Sequence, residues 1–110
     1  MGPTFIMKTY EKAIRDAIPA IIRAEGKQCV VKQVSDVEFL RYMESKLFEE
    51  LHEYSETKST EELADLLEVI YRVAELRQTG RDELEMIRKK KCEERGGGFK
   101  ENLILVSAEE

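Results

Sequence analysis

Residues 35–76 read SDVEFLRYMESKLFEELHEYSETKSTEELADLLEVIYRVAEL, two periodic stretches separated only by a polar link around Lys58. Ser35 opens S-D-V-E and Ser59 opens S-T-E-E, each a serine followed three positions on by glutamate, the pattern in which hydroxyl and carboxylate satisfy the free amides at a helix start. Behind the first box Leu40, Met43, Leu47, Leu51 and Tyr54 recur at helical spacing. Behind the second, Leu63, Leu66, Leu67, Ile70, Val73 and Ala74 form a similar inner face. Helices are predicted over about 36–56 and from the second box to about 77. So short a link forces the pair into an antiparallel hairpin.

Outside this hairpin the signals are shorter. Ala17 to Glu25 suits a short helix, with Ile18, Ile21 and Ile22 in phase, Pro19 tolerable in the first turn and Gly26 as the stop. Leu84 and Ile87 mark a fourth helix that ends at Gly96, Gly97 and Gly98. The valine-rich segment 28–34 (QCVVKQV) and the run Leu103 to Val106 favour extended backbone and are candidates to pair as a short β-ribbon. The expectation is one all-α domain over residues 1–110, a small antiparallel bundle of about four helices with residues 1–9 as a flexible start.

Composition narrows the class. Hydrophobic residues make up 42% and charged residues 37%, and the net charge is −5, which argues against broad binding to nucleic-acid polymers or anionic membranes. The longest apolar runs are far below spanning length, and the opening MGPTFIM lacks the apolar stretch of a signal peptide. Cys29 and Cys92 are too few for a disulfide scaffold or a zinc site, so a cytoplasmic location is expected. An exposed apolar face on so small a bundle favours self-association into a homodimer or homotetramer.

Within residues 49–65, EELHEYSETKSTEELAD, seven acids meet a single lysine. At about 100° per residue, the apolar stripe of the first long helix centres near Leu47, Glu50 falls between Met43 and Phe39, and Glu53 lies at the edge of that sector. Glu49 and Glu56 point away and read as solvated acids. On the next helix Glu62 falls between Val69 and Val73 and Asp65 beside Leu76, while Glu61 and Glu68 face outward. Two acids from each helix thus border the core. Partial dehydration of a carboxylate costs free energy unless a cation or hydrogen bonds compensate, and nearby cations are scarce, with Lys46 four residues before Glu50. Four converging carboxylates offer the all-oxygen ligation that Mg²⁺ or Mn²⁺ prefers. The alternatives are a plain solvated acidic face, and Glu62 as the third-position glutamate of the Ser59 box.

E-E-L-H-E at 49–53 followed by E-L-A-D at 62–65 resembles the E-E-x-x-E and E-x-x-D pair of the all-α nucleoside triphosphate pyrophosphohydrolases, the MazG-like superfamily. YEKAIRDAIP at 10–19 resembles the Y-N-K-L-V-R-D-K-I-P opening of its phosphoribosyl-ATP pyrophosphohydrolase-like branch, and KCEERGGGF at 91–99 resembles that branch's K-x-E-E-R-G-G-F ending. The motifs span Tyr10 to Leu105 in order and at compatible spacing. The resemblance implies an all-α dimer or dimer of dimers that uses Mg²⁺ to cleave the α-β phosphoanhydride of a nucleotide, releasing monophosphate and pyrophosphate. It places the metal ligands at Glu50, Glu53, Glu62 and Asp65, the four acids singled out by helical angle; apart from the resemblance, one of the four, with Glu53 the first choice, is a candidate to accept the water's proton. Lys12, Arg15 and Asp16 of the opening and Lys91 and Arg95 of the ending fall at the family's substrate-binding positions. Read without the family, Arg15 and Asp16 form a plain ion pair, and KKK at 89–91 is a basic last turn favoured by the helix dipole.

Departures from the pattern are Glu11 for asparagine, Ala13 for leucine, Ala17 for lysine and one extra glycine at 96–98. They bear on substrate choice rather than on the acids. His52 faces outward by the same angular count, and Tyr10, Tyr42, Tyr54 and Tyr71 are candidates for base stacking or for packing. Two rival readings stand beside nucleoside triphosphate hydrolysis: phosphoribosyl-ATP hydrolysis in histidine biosynthesis, and a non-catalytic helical module that binds nucleotide or regulates a partner.

Overall fold

The computed structural model describes residues 6–110 and contains four helices, α1 (Ile18–Ala24), α2 (Asp36–Thr57), α3 (Thr60–Leu76) and α4 (Arg81–Glu94). The fold is the all-α bundle expected, and no helix among the described residues is long and apolar enough to cross a membrane. Of the start expected to be flexible, residues 1–5 lie outside the described residues, and residues 6–10 are exposed and without regular structure.

Helix ends follow the capping chemistry. The Ser35 hydroxyl accepts from the Glu38 amide at 3.2 Å, and the Ser59 hydroxyl accepts from the Glu61 amide at 3.2 Å. The Ser59 amide donates to Thr57 Oγ1 at 3.2 Å, so Glu62 does not close the box as the sequence pattern allows. Three C-termini share one device, in which the second residue past the cap donates back over the last turn: Lys27 to the Ile22 carbonyl, Thr79 to Ala74 and Gly97 to Cys92. The left-handed residue this requires is Gly26 in α1 and Gly96 in α4 but Gln78, at φ 66°, in α3. Between α2 and α3 the turn rests on Lys58, also left-handed at φ 56°.

The core lies between α2 and α3. Met43 and Val69 are buried there with Ala13, and Phe39, Tyr42, Leu47, Val73 and Leu76 pack around them. Ala13 belongs to no helix. It anchors residues 10–16, an irregular strap laid along one side of the hairpin, where the Tyr42 hydroxyl donates to Glu11 at 3.3 Å. Helix α4 touches α3 alone, with the Arg81 guanidinium 3.9 Å from the Tyr71 ring centroid, and α1 packs on no other helix.

The ribbon expected between 28–34 and 103–106 does not form; no strand occurs among the described residues. Val30, Leu103, Ile104, Leu105 and Val106 are all more than four-fifths exposed. A two-stranded ribbon with no third strand or helix beneath it buries too little to hold itself together.

The hairpin has two unlike sides. Measured from Met43, Leu51 and Phe48 fall on one flank of α2, and measured from Val69, Leu63, Leu67 and Ile70 fall on the same flank of α3, because antiparallel helices turn in opposite senses seen from one end. The Arg77–Glu44 ion pair, 2.9 Å, crosses on that flank and fixes its identity. Phe48 is 74% exposed and Leu51, Leu63 and Leu67 about half exposed, so this flank is an apolar surface left open by the described residues. The opposite flank carries the acids and the strap.

Candidate functional site

Helical phase brings the carboxylates together. Glu50 projects from α2 toward α3, where Glu62 and Asp65 sit one turn apart, and one oxygen from each of these three residues lies within 4.8 Å of the others. Glu49, Glu50 and Glu53 form a second such group along α2. Glu50 joins the two.

Glu50 is the deeply buried member, 7% exposed, and its Oε2 has no hydrogen-bond partner among the described residues. Its other oxygen lies 3.7 Å from Lys46 Nζ. Loss of hydration pushes its carboxyl above the ordinary range, the Glu53 charge pushes further, and Lys46 opposes both. Glu62 is also held high, first by lost hydration, then by the charges of Glu53 and Asp65. An orphaned, nearly dry carboxylate oxygen among like charges is a costly arrangement for a metal-free protein. The donor set is oxygen alone, so the residues fit a hard divalent cation such as Mg²⁺ or Mn²⁺.

The strap adds two cations to the one, Lys46, that α2 supplies to these acids. Arg15 Nη2 donates to Asp65 Oδ1 at 2.9 Å, and Lys12 Nζ lies 3.7 Å from Glu49 Oε1. Arg15 therefore pairs with Asp65, not with its neighbour Asp16, and Asp16 makes no ion pair among the described residues. Glu49, expected to be a solvated acid, is partly covered and held between Lys12 and Lys46. Lys46 is three residues away on the same helix, but Lys12 is far away in sequence, which a helical wheel cannot register; the lysine of the opening motif was the available signal. Glu53 and Glu62 make no ion pair with a basic side chain among the described residues. Glu56 and His52, as expected, sit outside this cluster and face each other at 3.7 Å.

A cleft of about 410 Å³ opens between strap and α2, lined in part by Lys12, Arg41, Tyr42 and Lys46 together with the acids Glu11, Glu38 and Glu49; Glu50, Glu53, Glu62 and Asp65 do not line it. Lys91 and Arg95 are not joined to it. They lie at the C-terminal end of α4, which meets α3 but not α2, and neither forms an ion pair among the described residues. A larger hollow, about 460 Å³ along α4 from Glu83 to Glu93, contains none of the candidate acids.

Comparison with known proteins adds no neighbour: no family model, no curated protein and no solved structure matches the chain.

Proposed function

We propose that the chain is a cytosolic, Mg²⁺-dependent nucleotide pyrophosphohydrolase that cleaves the α-β phosphoanhydride of a nucleoside triphosphate or related nucleotide. The observation that carries this reading is Glu50 Oε2, a buried carboxylate oxygen with no partner, in a group with Glu62 and Asp65. The ordered resemblance of residues 10–19, 49–65 and 91–99 to the all-α pyrophosphohydrolases supplies the reaction.

In this reading Glu50, Glu53, Glu62 and Asp65 hold the cation. When bound, Mg²⁺ contributes charge stabilisation at phosphate oxygens and polarises a water. Glu53, which pairs with no basic side chain among the described residues, would accept a proton from that water. Lys12 and Arg15 meet the polyphosphate from the strap, where a planar guanidinium suits phosphate oxygens. The cleft lined by Tyr42 and Arg41 gives the rest of the nucleotide room.

The protein is proposed to act as a homo-oligomer. Its radius of gyration is 19.7 Å, against about 13 Å for a compact chain of this length. Its accessible surface is 10194 Å², against roughly 6,300 Å² expected for this mass. A chain so open, with one apolar flank bare, closes its core against a copy.

Purified protein tested with a nucleotide panel and Mg²⁺ should release pyrophosphate from at least one member. Glu50→Gln and Asp65→Asn should each lower that rate by roughly two orders of magnitude, as loss of a charge-stabilising group typically does. No release from any nucleotide, or release indifferent to both substitutions, refutes the proposal. Nucleotide binding without turnover would instead identify a non-catalytic module.

A further inference from the structure

Arg15 holds Asp65 by one nitrogen on one oxygen, Nη2 to Oδ1 at 2.9 Å, rather than by the two-pronged contact of which a guanidinium is capable. Both side chains are substantially exposed, at 60% and 43%. A single-contact pair in water is weakly held and screened by salt. Yet the backbone beneath it is fixed: Ala13, two residues earlier, is 5% exposed in the core with Met43 and Val69. The arginine head is therefore free to leave while its root stays.

Asp65 has a competing use. It shares a group of converging oxygens with Glu50 and Glu62. A guanidinium and a dication on one carboxylate repel each other, so a cation taken up by Asp65 weakens its hold on Arg15. A released Arg15 remains tethered beside the cluster through Ala13, and its nearest new partner is an anion bound there.

We infer that Arg15 is an exchangeable counter-ion: it neutralises Asp65 in the cation-free protein and passes to phosphate when Asp65 takes a divalent cation. The inference rests on the metal reading above. Cation binding and phosphate capture are thereby coupled, since each favours the same displaced position of Arg15.

The experiment measures Mn²⁺ binding to the full chain without nucleotide, then binding of an α,β-imido nucleoside triphosphate to the Mn²⁺-loaded protein, for wild type, R15M, R15K and R23M. R15M should bind Mn²⁺ about two- to five-fold more tightly than wild type, the range an exposed ion pair allows. The same variant should bind the analogue at least about ten-fold more weakly, the loss of one charge-assisted contact. R23M, which removes a charge from α1, should change neither beyond the general effect of net charge. R15K keeps the charge without the fork, so it should keep wild-type Mn²⁺ affinity and still weaken the analogue. Opposite signs for the two ligands are not produced by a structural role. If R15M binds Mn²⁺ no more tightly than R23M, or R15M and R15K both leave analogue binding unchanged, the exchange is refuted while the metal site stands. If wild type binds no Mn²⁺ at all, the metal reading fails and the exchange fails with it.

Discussion

Lys46 reaches Glu50 one helical turn on, Nζ 3.7 Å from Oε1, and leaves Oε2 without a partner. The contact offsets part of the cost of burying Glu50, and the remainder is stored in the metal-free fold. Glu50→Gln should therefore leave the Tm of metal-free protein unchanged or slightly raised. It should also abolish the rise in Tm that Mn²⁺ gives wild type, which at a hundred-fold excess over Kd corresponds to about 2.7 kcal/mol. Differential scanning calorimetry with and without Mn²⁺ checks both halves. A marked loss of stability in metal-free Glu50→Gln would show the carboxylate to be a structural acceptor.

Stability should also depend on pH in an unusual direction. Glu50 and Glu62 hold protons more tightly folded than unfolded, because burial and neighbouring acids disfavour their charged forms. The folded state then carries the more protons as pH climbs from the ordinary glutamate range toward the raised values, and stability falls across that window. Replacing both residues by glutamine should flatten this slope in metal-free denaturation curves. With Mn²⁺ present, apparent cation affinity should increase over the same interval, since ligation needs the ionised carboxylates. A metal-free slope of the opposite sign, unaltered by the double substitution, contradicts the assignment.

Gln78 occupies the left-handed position where α1 and α4 place glycine. A side chain there costs roughly 1–2 kcal/mol, partly offset by the chain entropy that glycine loses on folding. Gln78→Gly should stabilise the protein by about 0.5–1 kcal/mol and raise the Tm by about 2–6 °C. A lower Tm would mean that the glutamine side chain contributes something the geometry does not reveal.

The bare flank of the hairpin makes a prediction about mass. Sedimentation of wild type at tens of micromolar should give a dimer or tetramer, and Leu67→Glu should give monomer while retaining its helical circular dichroism. Burying a leucine of this kind contributes about 1.5–3 kcal/mol, so the change should weaken association by more than about ten-fold. A monomeric wild type would overturn the proposed assembly.

Much of the architecture was readable before any coordinates. Ser35 and Ser59 marked the starts of α2 and α3, and the leucine and valine spacing carried both helices to their ends within a residue or two, because capping and periodicity are local properties of the chain. Glu50 was placed inward by angle alone, and it is the buried acid. What escaped was everything that depends on distant partners. Glu49 is shielded by Lys12, and Asp65 is paired to a residue fifty positions earlier. The valines of 28–34 favour extended backbone, but propensity could not supply the strand that would have paired with them.

The separation of the hairpin into a charged flank and an oily one leaves each free to drift without the other. In the proposed homo-oligomer, substitutions around Leu63 and Leu67 remodel the contacts between copies across evolutionary time while Glu50 and Asp65 stay as they are, and changes in the strap retune the proposed ligand preference without touching that seam.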